Sequence, residues 1–149
     1  MISDPTHPFP PVALWRVNAL RFLFLLMAFF MGSMLWMQLI FDFSDLSAMG
    51  GVATSLLAAL SLLSLLGIRY PLKMLPLMLF EMTWKTVWLT CIAGRSWMAG
   101  TWSPEIEGIF YQCIGIVIVF VIMPWRYVWA TYFASPMEPL FRPREAPDA

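Results

Sequence analysis

Four long apolar stretches alternate with short polar segments along the chain. Each stretch is close to the roughly 20 residues that a helix needs to cross about 30 Å of hydrocarbon. The pattern therefore predicts four membrane-spanning helices, over residues 22–41, 52–68, 72–93 and 108–125. Because the segments between them are short, consecutive helices should lie side by side in opposite directions. We expect an all-α fold, an integral membrane, antiparallel four-helix bundle made of two helical hairpins.

Proline-rich segments flank this region at both ends. The first seventeen residues contain four prolines and no helical period, which is typical of an extended segment. Residues 134–149 contain another four prolines with scattered charges, the composition of a disordered tail. The sequence thus predicts a cytoplasmic lead-in at 1–17, a four-span transmembrane domain at 18–133 and a cytoplasmic tail at 134–149.

The third predicted span carries two charges within its apolar stretch, Glu81 and Lys85. A charged side chain near the centre of a bilayer costs about 2.5–3.5 kcal/mol on insertion scales, so each should be paired, neutralised or turned into the bundle. The two residues are four apart, the spacing of a helical ion pair. Trp84 and Trp88 share their face, and Gln112 in the fourth span lies at a depth that allows it to join them. These five residues form the predicted polar site.

Basic residues gather on one side of the predicted spans. Seven lie there, against Arg95 alone on the other side: Arg16, Arg21, Arg69, Lys73, Arg126, Arg142 and Arg144. Because the side rich in arginine and lysine is cytoplasmic, the sequence predicts a multi-pass protein with both termini in the cytoplasm. Aromatic residues accompany these charges and predict anchors at the membrane surface, formed by Arg69, Tyr70, Lys73, Trp125, Arg126 and Tyr127.

Composition agrees with a lipid environment and excludes several classes of function. Hydrophobic residues make up 60% of the chain, above the roughly 45–50% of an average soluble domain. The net charge of zero argues against a nucleic-acid partner. Cys91 and Cys113 lack the spacing of a metal or redox motif, and packing is their favoured role, with a disulfide between them left open. We predict no catalytic residue, metal or cofactor, because no nucleophile–base pair, ligand set or phosphate loop is present.

The segments RYPLKMLPLMLFEMTWKTVWL (69 to 89) and MPWRYVW (123 to 129) resemble a group of small four-helix membrane proteins from bacteria. The resemblance is carried by LPLMLFE with Lys85 and by the run from Pro124 to Tyr127, and it covers the second half of the chain best. It implies a four-span protein of the bacterial inner membrane. It carries no catalytic residue to this chain.

Three functions remain open. The favoured hypothesis is a non-enzymatic membrane protein in which Glu81 and Lys85 fix helix packing, with a role as accessory subunit of a larger membrane complex. The alternative is a small proton- or cation-coupled transporter that uses Glu81 and works as a homodimer, since acids within a membrane often mark ion routes. Enzymatic chemistry has the least support, although quinone or lipid chemistry at Glu81 and Lys85 stays open.

Overall fold

The computed structural model describes residues 10–135, and the regular structure in that range is entirely helical. Helix α1 spans Leu14–Phe41 and α2 spans Ala48–Arg69, with a short 3₁₀ turn at Phe43–Asp45 between them. The remaining helices are α3 at 75–98, α4 at Pro104–Ile122 and α5 at Trp125–Tyr132. The all-α prediction is confirmed at this level. The predicted lead-in and tail fall largely outside the described residues, and α1 begins inside the lead-in.

Two of the long helices contain a π-helical segment, and a third is interrupted at a glycine. In α1 the π segment is Leu26–Met31, and in α3 it is Leu89–Ala93. A π-helical turn contains more residues than an α-helical turn. Side chains after the π segment therefore point in a different direction from the one an uninterrupted α-helix would give. In α4 the regular hydrogen bonding is interrupted at Gly115, between Pro104–Ile114 and Ile116–Ile122.

Capping residues and prolines explain where the helices begin. The Ser47 hydroxyl accepts from the Gly50 amide at the start of α2, and the Ser103 hydroxyl accepts from the Ile106 amide at the start of α4. These caps satisfy amide groups that have no partner within the helix. A proline inside a helix usually bends it, but Pro76 lies in the first turn of α3, where a missing amide costs little. It therefore helps to begin the helix.

Small residues let α1 and α2 pack closely. Gly67 faces the Phe24 ring, and a Cβ built on Gly67 would lie only 2.4 Å from that ring. Nearer the other end, the Trp36 indole donates to the Ser61 hydroxyl at 3.3 Å. Phe24 precedes Trp36 on α1, whereas Gly67 follows Ser61 on α2, so the two helices are antiparallel. Small residues recur three or four positions apart on α2, and four of them are buried: Ala58, Ser61, Ser64 and Gly67.

The other pair, α3 and α4, is also antiparallel. The Leu75–Trp88 part of α3 contacts Ile116–Ile122, whereas the Leu89–Ala93 part contacts Pro104–Ile114. Further contacts join α2 to α3 and α1 to α4. These four helices belong to one compact unit, Val12–Met123. Helix α5 falls outside it, in a second unit whose described residues are 10–11 and 124–135.

Three of these helices are long and apolar enough to cross a membrane, namely α1, α2 and α4. They contain the predicted spans 22–41 and 52–68 and most of the predicted span 108–125. Helix α3 covers most of the predicted span 72–93 and is long enough at about 1.5 Å per residue, but Glu81 and Lys85 lower its hydropathy. Many large apolar side chains point away from the unit, among them Phe29, Phe30, Leu62, Leu65, Val117 and Val121.

Candidate functional site

Helix α3 turns a narrow apolar face into the unit, and Glu81 lies on that face. The residues it buries at helical spacing are Leu75, Met78, Glu81 and Met82. Glu81 is 1% exposed, and it is the one charged residue among the buried positions that the structure describes. The structure therefore places this carboxyl group inside the unit.

Lys85 is the ion partner of Glu81. Its ammonium nitrogen lies 2.8 Å from Glu81 Oε2, one helical turn along α3. The distance is that of an ion pair, but neither carboxylate oxygen accepts a hydrogen bond of good geometry from any residue in 10–135. The Lys85 side chain is 18% exposed, so its ammonium lies at the edge of the buried region while the carboxylate lies within it. The pair is thus asymmetric, with the negative group far more desolvated than the positive one.

Trp84 supplies a second contact for the Lys85 ammonium. The nitrogen lies 5.4 Å from the centre of the indole ring, within the range of a cation–π interaction. The indole Nε1 is buried and finds no acceptor among the described residues. Trp88, one turn further along α3, is half-buried. The structure therefore places Lys85 between a carboxylate and an aromatic face.

Gln112 does not point inward with the other predicted site residues. It is exposed on α4, whereas its neighbour Cys113 is 1% exposed and therefore faces the interior of the unit. A shift of one residue turns a helical side chain by about 100°, and depth along the axis does not determine that angle. Cys113 is thus the α4 residue that sequence reasoning missed. Both cysteines are free thiols, and Cys91 is exposed.

Threonine hydroxyls on α3 do not serve the ion pair. Thr83, Thr86 and Thr90 donate to carbonyl oxygens one turn earlier, at 2.8, 2.6 and 2.8 Å. This local bonding is the usual role of a threonine within a helix.

The predicted surface anchors form two separate groups. Tyr70 is the centre of the first, because Arg69 Nε donates to its hydroxyl at 3.0 Å and Lys73 lies 5.6 Å from its ring centre. The second group lies on α5, where Arg126 is exposed and Tyr127 is half-buried. On the same helix, burial raises the pKa of Tyr132, and the nearby Tyr127 raises it further.

The described part of the chain brings no three histidine, cysteine, aspartate or glutamate side chains together in a way that could hold a metal ion. No family model matches the chain, and comparison with curated proteins and with solved structures gives no match either.

Proposed function

We propose that the chain is a four-span membrane protein whose Glu81–Lys85 pair holds α3 in register against α4. In this proposal α3 crosses the membrane together with α1, α2 and α4, and the four helices form an antiparallel bundle with lipid around it. The lipid-facing side chains are the exposed apolar residues of α1, α2 and α4. The buried carboxylate carries the argument, because a charge at 1% exposure in an apolar helix needs a partner and Lys85 is 2.8 Å away.

The basic side chains of the unit suggest how the bundle is oriented. Arg16 and Arg21 lie at the start of α1, and Arg69 and Lys73 flank the turn between α2 and α3. Antiparallel packing brings these two segments to one end, which is cytoplasmic by the positive-inside rule. The proposal also includes a location in the inner membrane of a bacterium, with both termini in the cytoplasm.

The biological role that fits this arrangement best is that of a non-enzymatic accessory subunit. The loops between the helices of the unit are short, so the surfaces left for recognition are mainly helix faces that meet other helices within the bilayer. Purification in mild detergent followed by native mass spectrometry tests this directly. We expect a second membrane protein, or a second copy of this chain, to remain bound. A lone monomer under these conditions would contradict the proposal.

The structural role of the pair has its own test. Replacing Glu81 with Gln and Lys85 with Met together removes both charges and keeps the side chains of similar volume. If the pair only holds helices in register, the double variant should assemble and retain the cellular role of the protein. A double variant that folds normally but abolishes that role would show that the charges themselves are needed.

One observation favours a second candidate, transport of protons or cations. Glu81 Oε1 is buried and has no hydrogen-bond partner within residues 10–135, so it is free to accept a proton or contact a cation. A carboxylate with an unused oxygen inside a membrane helix is typical of ion routes. In this case, proteoliposomes that contain the protein should show a proton or cation flux that Glu81→Gln removes. Flux that is unaffected by Glu81→Gln would eliminate this candidate.

A further inference from the structure

A shallow groove of about 360 Å³ lies where α3 ends and the turn toward α4 begins. Its lining residues are Cys91, Ile92, Arg95, Ser96, Ala99 and Thr101. Cys91 and Arg95 are four residues apart on α3 and so share one helix face. The lining thus combines a guanidinium, hydroxyls and a thiol with the apolar side chains of Ile92 and Ala99.

The cation in this groove has no partner within the described range. Arg95 is exposed, and its guanidinium makes no hydrogen bond, ion pair or ring contact with any residue in 10–135. Arginine presents a planar array of N–H donors that matches a phosphate group and binds it through two bonds at once. An unpaired guanidinium beside the Ser96 and Thr101 side chains is therefore suited to a phosphate.

Two tryptophans indicate the depth of the groove. Trp97 is 75% exposed, and Trp102 is 37% exposed in the following turn. Exposed tryptophans concentrate where lipid headgroups meet the hydrocarbon. In the proposed bundle the groove therefore lies at headgroup level. A lipid can contact both the charged and the apolar lining residues, whereas a free phosphate ion can contact only the charged and polar ones.

We propose that this groove binds an anionic phospholipid through its phosphate, with Arg95 as the recognising residue. The inference extends the proposed membrane placement of α3 and does not depend on the role of Glu81 and Lys85. It gives the protein a specific lipid partner on the face opposite its basic end.

Cys91 provides a built-in reporter for this site, because it lines the groove and is exposed while Cys113 is buried. The full chain in a maltoside detergent is treated with a maleimide, and modification of Cys91 is followed by mass spectrometry. Three probes are compared: phosphatidylglycerol, diacylglycerol with the same acyl chains, and inorganic phosphate. We expect phosphatidylglycerol to slow the labelling of Cys91, and the other two to leave its rate unchanged.

Arg95→Gln should weaken the protection by phosphatidylglycerol about tenfold, since hydrogen bonds to charged groups contribute that much or more. Arg21→Gln is the matched control, because it removes an exposed guanidinium that is bonded only to Asn18 in the described structure. Native mass spectrometry of the unmodified protein should show retained phosphatidylglycerol.

Three results would overturn the proposal. Equal protection by diacylglycerol would mean that acyl chains alone fill the groove, and equal protection by inorganic phosphate would mean a site for a free anion. Full protection of Cys91 in Arg95→Gln would show that Arg95 does not recognise the phosphate. None of these results bears on the Glu81–Lys85 pair, which the double substitution tests separately.

Discussion

Glu81 loses nearly all of its contact with solvent and gains one ionic contact, with Lys85. The attraction within such a pair often does little more than offset the desolvation of the two charges, so the pair adds less stability than its short distance suggests. The pair instead favours one orientation of α3. Both side chains belong to this helix and keep their contact in any rotation, but charges that face hydrocarbon are costly, so rotations that turn the pair toward lipid are disfavoured.

The asymmetry of burial predicts unequal effects for the two single substitutions. Lys85→Met leaves the Glu81 carboxylate buried without a partner, and we expect a loss of about 3 kcal/mol in unfolding free energy. Glu81→Gln leaves an ammonium that is already partly exposed and can turn outward, so a loss of about 1 kcal/mol is expected. The double variant should lie within about 1 kcal/mol of the unmodified protein.

Unfolding of all four proteins in the same detergent, followed by intrinsic tryptophan fluorescence, measures these differences as a double-mutant cycle. Additive losses in the double variant would mean that the two side chains do not interact energetically, despite the 2.8 Å between them.

Gly67 is the position where one added methyl group should matter most. Gly67→Ala would place a Cβ 2.4 Å from the Phe24 ring, so the ring or the helix must move, and overpacking of this kind costs about 1–3 kcal/mol. Gly51→Ala is the matched control on the same helix, because nothing lies within 4 Å of its Cβ. Alanine favours a helix over glycine, so the control should be neutral or slightly stabilising.

Thermal unfolding of the two glycine variants in detergent gives the comparison. If Gly67→Ala were as stable as Gly51→Ala, the close approach of α1 and α2 would not contribute to the packing of the first hairpin.

The presence of each helix was easier to predict from the sequence than the residues where it begins and ends or the side chains that it buries. The apolar stretches predicted four long helices, and each prediction corresponds to a helix in the structure. The boundaries were less accurate, since α2 begins at Ala48 because Ser47 caps it and not where the apolar run starts. Which face of a helix is buried depends on the helices packed against it. Sequence periodicity alone therefore did not show that Cys113, and not Gln112, is the buried residue. The π segments, which rotate helix faces, have no clear signal in the sequence.

The end of α4 is held by a contact from another element. Arg16 on α1 donates to the Met123 carbonyl at 3.3 Å, just past the last turn of α4. A cation at a helix C-terminus is favourable both as a hydrogen-bond donor and through the helix dipole. Arg16→Met should therefore cost about 1 kcal/mol and loosen the last turn of α4.

Hydrogen–deuterium exchange of peptides that cover 116–123 provides the measurement for Arg16→Met. Faster exchange is expected there, with little change in α2. Arg21→Met is the control on the same helix, because Arg21 contacts only Asn18 among the described residues. Equal exchange in the two variants would show that the contact with Met123 does not stabilise the helix end.

At the scale of the whole molecule, the number of spans determines which connecting segments share a side of the membrane. Three helices are apolar enough to cross by hydropathy, and α3 is the exception. If α3 crosses, the turn after it lies on the same side as the 3₁₀ turn between α1 and α2. If α3 stays on one surface, the turn after it lies on the same side as the turn that precedes it. The two topologies therefore differ in the location of residue 99.

Single cysteines at three exposed positions distinguish these topologies: Ser44→Cys, Lys73→Cys and Ala99→Cys, each in a background with Cys91→Ser. Cys113 is retained because it is buried. We expect a membrane-impermeant maleimide added to intact cells to label positions 44 and 99, and to label position 73 only after the membrane is opened. The Glu81–Lys85 contact lowers the energetic cost of α3 crossing the membrane, since opposite charges in contact enter the hydrocarbon at a lower cost than two separate ions. Joint labelling of positions 73 and 99 from one side would contradict the four-span bundle and would leave α3 at the membrane surface.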